Sequence, residues 1–286
     1  MKLPSQHFTL RQQMETNDFE LFYFKDTIPV EVDFHNHDFY EIYLFLSGKV
    51  TYVIEGKTYL LRPKDILIIN NKELHKAFID KSMIYERIVI WISPDYIKSL
   101  SSESSDLLSA FDSTSINKIN LLRPNAQLTD IIYNIVDNLG VAYNSTEYGS
   151  DILKTTYIRE LLVYLNRAFQ LPLRKEAQLS ISYDDKINNI LYYINENLSG
   201  DVSLDTLSAK FFISKYHLLR EFKKNTGYTI HRYIQQKRLI LAKELLKGNS
   251  HITEVCTQCG FGDYSNFIRS FRKEYGISPK KYSKRV

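Results

Sequence analysis

The sequence predicts an α+β protein, with a β-rich N-terminal region followed by a helical C-terminal region. Residues 28–92 contain short runs of β-branched and aromatic residues separated by turn residues, a pattern typical of an antiparallel sandwich or barrel. Beyond these runs the apolar residues recur with the period of a helix. After Tyr183 the pattern predicts short helices, each broken at a glycine.

Length and composition limit the classes of protein to which the chain can belong. Its 286 residues allow about two domains, and the 44% of hydrophobic residues exclude a wholly disordered chain. No apolar run reaches the roughly 18 residues that span a membrane, and the N-terminus lacks the apolar stretch of a signal peptide. We therefore expect a cytoplasmic protein with no membrane partner.

Charge is distributed unevenly along the chain. Residues 180–286 carry 18 Lys and Arg against 10 Asp and Glu, whereas residues 1–179 carry 19 against 23. A basic region on an otherwise slightly acidic chain indicates a polyanionic partner for that region. A basic surface that only maintains solubility is the alternative.

Turn residues divide the N-terminal region into predicted strands, and two helices follow. The predicted strands are Tyr40–Leu46, 50–55, 58–61, Ile66–Ile69 and Arg87–Ile92. Helical spacing of apolar residues predicts Ala126–Leu139 and Asp151–Phe169, which can pack on each other or on a second subunit. Residues 171–183 contain Pro172, mixed charge and no clear period, so we interpret them as a linker.

The C-terminal region contains an internal repeat at an offset of 49 residues. LLREFKKNTGYT (Leu218–Thr229) matches FIRSFRKEYGIS (Phe267–Ser278), with an apolar pair at i, i+4, basic residues opposite and a final glycine. A second short helix precedes each copy, and Ser203 and Ser214 are the predicted N-caps in the first. A helix, a tight turn and a basic helix form the helix-turn-helix unit, whose second helix enters the DNA major groove. A helical repeat array that binds protein is the alternative.

Two segments of the C-terminal region carry a resemblance to a known family. They are VCTQCGFGDYSNFIRSFRKEYGISPKKY at the end of the chain and YIQQKRLILAKELL between the two copies. With these segments the last hundred residues resemble the DNA-binding domain of AraC/XylS-type transcription regulators. The small alanine that the family has in the first helix of each unit is Ser208 in one copy and Cys256 in the other, and both residues are still small.

The resemblance implies which side chains meet DNA. Base edges are contacted early in each second helix, and the basic residues that follow contact phosphates. Leu219 offers only apolar contact, so we expect the first copy to be the less specific reader. Solvated surface charge is the alternative for the basic residues. The residues implied are Lys215, Tyr216, Leu219, Arg220, Lys223, Lys224, Tyr264, Ser265, Asn266, Arg269, Arg272 and Lys273.

Cys256 and Cys259 form a lone C-x-x-C pair. One pair cannot complete a four-ligand zinc site, and no strand–helix context indicates a redox motif. We expect both thiols to line the core of the second helix-turn-helix unit.

Histidines mark a candidate site in the N-terminal region. In HNHDFYE, His35, His37 and Glu41 lie at even offsets, so one extended strand would aim all three at the same face, and His75 follows later. This set resembles the cupin pattern, whose residues hold a divalent metal. Lys64 stands where the second cupin motif has glycine.

The regulators that share this C-terminal domain commonly carry a cupin-like barrel as a small-molecule receptor, often without metal. The resemblance therefore implies that His35, His37, Glu41 and His75 bind a ligand and that no cofactor is present. A metal ion on the same four residues and purely structural histidines are the alternatives.

The predicted organisation is a cupin-like ligand-sensing barrel at 1–120, a helical dimerisation segment at 121–170, the linker at 171–183 and a DNA-binding domain at 184–286. Within the last, the helix-turn-helix units lie at about 203–227 and 252–276.

The resemblance implies a homodimeric, sequence-specific transcription regulator, not an enzyme, that responds to a small-molecule effector, with a sugar as one candidate. Its implied partners are double-stranded DNA with two successive major-groove half-sites, and RNA polymerase. A cupin-type metalloenzyme with an appended nucleic-acid-binding or scaffold module is the alternative function.

Overall fold

The chain divides into two units, Met1–Ser182 (unit 1) and Tyr183–Val286 (unit 2). The computed structural model describes residues 4–6, 8, 11–112, 118–171, 175–248 and 251–284. Among these residues, no helix combines the length and the apolar character needed to cross a membrane.

Unit 1 contains the strands and four helices. The strands are β1 (Phe19–Asp26), β2 (Tyr40–Ser47), β3 (Val50–Ile54), β4 (Lys57–Leu60), β5 (Ile66–Ile69), β6 (His75–Ile79), β7 (Tyr85–Ile92), β8 (Leu121–Leu122) and β9 (Ile181–Ser182). The helices are α1 (Pro94–Leu100), α2 (Ala126–Tyr143), α3 (Ser150–Phe169) and the single turn α4 (Lys175–Gln178), and a short 3-10 turn lies at Ser109–Phe111.

Among its described residues, unit 2 contains only helices and the turns and loops that connect them. Its helices are α5 (Asp185–Glu196), α6 (Leu204–Lys210), α7 (Lys215–Thr226), α8 (Ile230–Lys247), α9 (Ile252–Gln258), α10 (Tyr264–Tyr275) and α11 (Pro279–Ser283). The α+β fold class predicted from the sequence is confirmed.

Two antiparallel sheets form the framework of unit 1. The first has the order β1-β7-β2-β5-β8, and the second has the order β6-β3-β4-β9. Inward-facing side chains of both sheets, such as Tyr43, Tyr59 and Trp91, share one core between them. This interior is where the candidate site lies.

The first sheet is buried on both of its faces. Ile42 and Leu44 of β2 pack with α1, α2 and α3 on the outer face, whereas Tyr43 and Phe45 belong to the inner core. Because neither face meets water, β5 and most of β7 are continuous apolar runs without the alternation of a half-exposed strand.

The start of unit 1 differs from the prediction. β1 pairs along its whole length with β7 but was missed, because Glu20 interrupts its apolar run. A charged residue such as Glu20 is usually exposed, but here its carboxylate is buried. Arg11 Nη2 donates a hydrogen bond to Glu20 Oε2 at 2.5 Å, and this contact compensates for the burial of the charge. Residues 28–39, predicted to begin the strands, contain only the isolated bridge between His35 and His75.

Helices α2 and α3 belong to the same core as the sheets. Ile135 and Leu161 are buried and Ile131 is partly buried, all three packed in the cluster on the outer face of the first sheet. The apolar stripe on these helices is therefore explained within one chain and is no evidence for a dimer. The structure does not separate residues 121–170 from the barrel.

The predicted linker is structured over much of its described length. β9 adds to the edge of the second sheet, where Ser182 pairs with Thr58 and Ile181 with Tyr59. The Arg123 guanidinium donates to Ser180 Oγ at 2.8 Å and also pairs with the buried Asp65 carboxylate. The segment is thus held on unit 1 up to Ser182. Pro172 lies outside the described residues.

Unit 2 contains the two predicted helix-turn-helix pairs, α6–α7 and α9–α10, joined by α8. The predicted N-caps are confirmed, since Ser203 accepts a hydrogen bond from the Thr206 amide and Ser214 accepts one from the His217 amide. The final glycine of each copy ends its helix in a left-handed conformation, as the repeat predicts.

The repeat is not uniform, because the second turn is one residue longer than the first. The first helices match at an offset of 48 rather than 49, which pairs Ser208 with Cys256. Ser208 Oγ donates to the Ile213 carbonyl at 2.6 Å, and Cys256 Sγ donates to the Phe261 carbonyl at 3.7 Å. In each unit, the small residue of the first helix therefore stabilises the following turn by donating a hydrogen bond to a carbonyl of that turn.

Gly260 has no room for a side chain. Its φ is +78°, and a Cβ there would lie 2.2 Å from the Leu198 carbonyl oxygen, part of the backbone. We expect Gly260→Ala to reduce the free energy of unfolding by at least about 2 kcal/mol, because left-handed strain adds to a backbone clash. Urea unfolding of the full chain, followed by circular dichroism, measures this loss.

Gly262→Ala is the matched control in the same turn. A Cβ at Gly262 meets no atom of the described residues within 4 Å, so the substitution should change the free energy of unfolding by no more than about 0.5 kcal/mol. Similar losses for both variants would contradict the close approach of the turn to Leu198.

Candidate functional site

The candidate site of unit 1 is assembled by a loop and two strands. His35 and His37 precede β2 in a segment without regular structure, so the expectation of one strand carrying both histidines and Glu41 is wrong. Instead, His35 and His75 exchange backbone hydrogen bonds of 3.2 and 3.0 Å. This isolated bridge fixes the loop against the start of β6 and brings the two distant histidines together.

The structure places all four predicted residues next to one another. The ring centroids of His35 and His75 are 4.3 Å apart, and those of His37 and His75 are 5.0 Å apart. Glu41 Oε2 lies 3.7 Å from His37 Nε2. One ligand atom from each of His37, Glu41 and His75 lies within 4.8 Å of the other two.

Backbone carbonyls define the tautomer of each ring. Nδ1 of His37 lies 2.7 Å from the Phe39 oxygen, Nδ1 of His75 lies 2.9 Å from the Glu73 oxygen, and Nδ1 of His35 lies 2.8 Å from the Asp33 oxygen. Because a carbonyl only accepts, each Nδ1 carries the proton, and Nε2 of a neutral ring presents its lone pair.

Burial controls the charge of the site. It lowers the pKa of His75 well below its ordinary value, and the neighbouring His35 and His37 add to this effect. Burial also lowers the pKa of His35. For Glu41, burial raises the pKa, but the His37 ring, His35 and the Trp91 indole together outweigh it, so the pKa lies below its ordinary value. At neutral pH the site therefore combines the neutral imidazoles of His35 and His75 with the Glu41 carboxylate.

The site borders a partly open cavity of about 70 Å³ between the two sheets. His35 and Glu41 line it together with aromatic side chains from β2, β3 and β7. These residues are not among those predicted from the sequence, although alternation along β7 puts residues 85, 87, 89 and 91 on one face. The lining residues without a prediction include Tyr43, Tyr52, Tyr85, Arg87 and Trp91.

Lys64, which replaces the glycine of the cupin motif, keeps the backbone shape of a glycine. Its φ is +76°, a left-handed conformation that is uncommon outside glycine, asparagine and aspartate. The turn before β5 therefore has a left-handed residue at the position where the cupin motif has glycine.

Helices α7 and α10 present the predicted DNA-contacting residues. All twelve are exposed, whereas Leu218, Phe222, Phe267 and Phe271 on the opposite faces are fully buried. Each second helix is therefore anchored by its apolar face and shows its polar and basic face to solvent.

The two exposed faces differ in how much of their charge is neutralised locally. On α7, Arg220 contacts Glu221 at 3.0 Å, Lys224 lies 3.7 Å from the same carboxylate, and Lys215 pairs with Asp205. On α10, Arg269 makes no hydrogen bond or ion pair with any described residue. Arg269 of α10 is therefore more available to a partner than Arg220 of α7, which already contacts Glu221.

The two cysteines are core residues of the second helix-turn-helix unit, as expected. Both belong to the cluster around Phe267 and Phe271. Burial raises the pKa of the Cys259 thiol to about 12, and it also raises that of Cys256. Such protonated thiols are poor nucleophiles and poor metal ligands at neutral pH.

Comparison with known families matches both units. Residues 23–162 match the model of an AraC-like ligand binding domain, and residues 207–285 match a helix-turn-helix domain. Together these matches span more than three quarters of the chain. The chain belongs to the AraC family of transcription regulators.

Individual relatives agree with this assignment. The HTH-type transcriptional activator RhaS of Salmonella schwarzengrund is 26% identical over 247 residues, which are 86% of this chain and 85% of the relative.

Two solved structures are also similar. The C-terminal domain of the response regulator yesN from Fusobacterium nucleatum is 35% identical and covers 35% of this chain and 99% of its own, with a TM-score of 0.34. Apo ToxT from Vibrio cholerae is 14% identical over 96% of this chain and 98% of its own, with a TM-score of 0.41. The family assignment rests on the two sequence matches rather than on these structures.

As an AraC-family member, the chain is a DNA-binding transcription regulator with a ligand-binding domain in unit 1 and a helix-turn-helix domain in unit 2.

Proposed function

We propose that this AraC-family regulator activates transcription by reading two successive major grooves of one DNA site with α7 and α10. The observation that carries the proposal is the exposure of all twelve candidate contact residues on two anchored helices. The connecting helix α8 has 18 residues and spans about 27 Å, of the same order as the ~34 Å of one DNA turn.

Base reading is assigned to the first turns of α7 and α10. Arg269 suits guanine and Asn266 suits adenine, while Leu219 offers only an apolar surface, for example to a thymine methyl group. Lys215 and Arg220 also lie early in α7 and are assigned to base edges, whereas Lys223, Lys224, Arg272 and Lys273 are assigned to phosphates. Because Glu221 neutralises part of α7, α10 is proposed to be the more specific reader.

The proposed effector is a small, hydroxyl-rich molecule such as a sugar, bound in the cavity of unit 1. Aromatic walls and lone-pair acceptors from His35, His37, Glu41 and His75 suit sugar rings and hydroxyl groups. The cavity is smaller than most ligand pockets, which favours a single small ring and some opening on binding.

We propose the role of an activator because the chain is similar to the transcriptional activator RhaS, and this role makes RNA polymerase a proposed partner in the cytoplasm. We propose no enzymatic activity. A metalloenzyme would require the cavity to admit a substrate together with its metal, and the family assignment favours a receptor.

A homodimer is proposed through the outer surface where α2 ends and α3 begins. Val141, Tyr148, Ile152 and Leu153 are exposed there, with Tyr148 fully accessible and Ile152 64% accessible. Exposed apolar clusters of this kind are typical of protein interfaces. This surface differs from the buried stripe that the sequence indicated.

Substitution at DNA-facing positions should separate base reading from phosphate binding. Arg269→Ala is expected to cost about 1–3 kcal/mol on the preferred site and to relax the preference at one base position. Lys224→Ala is expected to weaken binding to all sequences alike and to reduce the slope of log K against log salt by about 1. Fluorescence anisotropy with sites selected from random duplexes measures both.

Lys98→Ala, at an exposed position of unit 1, is the control for loss of one positive charge. It should leave both affinity and salt slope unchanged. Equal affinity of the unmodified chain for selected and random duplexes would refute sequence-specific binding.

His37→Ala tests the effector site. We expect DNA binding to persist, because unit 2 has its own core, and the response of a reporter gene to the effector to disappear. The effector is first sought by thermal shift of the full chain against aldoses, deoxyaldoses and uronic acids. His251→Ala, an exposed histidine of unit 2, is the control and should respond normally. A normal response of the His37 variant would place the effector elsewhere.

Ile152→Glu tests the dimer. A carboxylate in an apolar contact leaves a buried charge unpaired, so the variant should sediment as a monomer at micromolar concentrations at which the unmodified chain is dimeric. Glu147→Ala, an exposed change nearby, should leave the dimer intact. A monomeric unmodified chain would exclude the proposal.

A further inference from the structure

Asn266 of α10, the proposed adenine reader, stands at the end of a chain of two hydrogen bonds that begins on α8. Gln235 Nε2 donates to Ser270 Oγ at 2.7 Å, and Ser270 Oγ donates to Asn266 Oδ1 at 3.3 Å. Gln235 is half-buried, Ser270 is buried and Asn266 is exposed. The chain therefore leads from a buried position to the exposed face of α10.

The direction of donation in this chain follows from the chemistry of its members. A hydroxyl group has one hydrogen and two lone pairs, and the Gln235 amide occupies one of the lone pairs. The Ser270 hydrogen then remains for Asn266, and a donated hydrogen is accepted by the amide oxygen and not by the NH₂ group. The chain thus determines which end of the Asn266 amide faces Ser270.

The Ser270 hydroxyl makes an unusual contact for a helical residue. Serine and threonine inside a helix commonly donate to the backbone carbonyl four residues earlier, as Thr226 does to the Phe222 carbonyl at 2.7 Å. Ser270 donates instead to the side chain of the residue four positions earlier, Asn266. Its hydroxyl is therefore directed at the base reader.

The resulting orientation leaves free the groups that adenine requires. Asn266 Nδ2 makes no hydrogen bond with any described residue, and one lone pair of Oδ1 remains. In the major groove adenine presents N7 as an acceptor and the N6 amine as a donor, which these two groups match. An amide turned over by 180° would meet the N6 amine with its own NH₂ group.

We propose that Gln235 and Ser270 are positioning residues for DNA reading, which orient the Asn266 amide for adenine before DNA binds. This inference rests on the proposed function, in which Asn266 contacts a base edge. The 3.3 Å contact is longer than the ~2.7–2.8 Å of most hydroxyl hydrogen bonds, so it biases the amide without locking it. We therefore expect the two residues to supply part of the base preference.

The first helix-turn-helix unit has different residues at the matching positions. At an offset of 49 residues, His217 stands in place of Asn266 and Glu221 in place of Ser270. A carboxylate accepts hydrogen bonds and donates none, and Glu221 contacts Arg220 at 3.0 Å. The chain from Gln235 thus gives a physical reason for α10 to be the more specific reader.

Base preference of the full chain tests the proposal. Fluorescence anisotropy compares the selected duplex with duplexes changed at single base pairs, and the pair at which Asn266→Ala loses discrimination marks the position that Asn266 reads. Ser270→Ala and Gln235→Leu should each reduce the preference for adenine there by about 2- to 10-fold, the value of one hydrogen bond. Their affinity for random duplexes should not change, because phosphate contacts are retained.

Gln236→Leu is the matched control. Gln236 follows Gln235 on α8, is also half-buried and also reaches α10, where its Nε2 donates to Glu274 Oε1 at 2.8 Å. This substitution removes one hydrogen bond between the same two helices and none in the chain to Asn266, so the base preference should stay unchanged.

The outcomes distinguish the positioning role from the proposed function. Loss of preference in Asn266→Ala but in neither Ser270→Ala nor Gln235→Leu would overturn the positioning role alone, as would an equal loss in Gln236→Leu. Unchanged preference in Asn266→Ala would overturn this role and the assignment of Asn266, while sequence-specific binding would stand. An unmodified chain that binds all duplexes alike would overturn the proposed function and this role together. Circular dichroism identifies a variant that fails to fold, and the other substitution in the chain then decides.

Discussion

Burial of strands β2 and β7 on both faces is the constraint on which the rest of unit 1 depends. Successive side chains of a strand point to opposite faces. Ile42 and Leu44 therefore pack against the helices, whereas Glu41 and Tyr43 face the interior between the sheets. A shift of β2 by one residue in register would turn the Glu41 carboxylate toward the apolar core beneath the helices and away from the histidines. The outer packing of α2 and α3 therefore indirectly fixes the position of the polar site.

The interior site of unit 1 and the C-terminal end of unit 1 use buried polar groups in opposite ways. Arg123 donates both to the Asp65 carboxylate and to Ser180 Oγ, and these complementary hydrogen bonds attach the segment before unit 2 to the barrel. Around His37 and His75, the buried Nε2 atoms have no hydrogen-bond partner among the described residues. Complementary pairs specify one arrangement, whereas unpaired polar atoms favour a ligand that supplies the missing hydrogen-bond partners.

The two helix-turn-helix units show how one architecture accommodates different residues. Ser208 and Cys256 make the same contact to the turn that follows them, although the second turn is longer by one residue. The left-handed position of that turn is Gly260 in one unit and Phe212 in the other, where φ is +49°. The buried faces are alike in both units, and the exposed faces differ, most clearly at Glu221, which pairs with basic residues of α7.

The sequence alone was sufficient for the class of the fold, the repeat, its caps and the family, because periodicity, capping residues and turn glycines are local properties. It also identified His35, His37, Glu41 and His75, since the identity of such residues is visible in the chain. Their arrangement was decided by tertiary structure: a single backbone bridge between His35 and His75 joins segments 40 residues apart. The helical stripe of α2 and α3 was likewise ambiguous, because an apolar face looks the same whether a sheet of the same chain or a second subunit covers it.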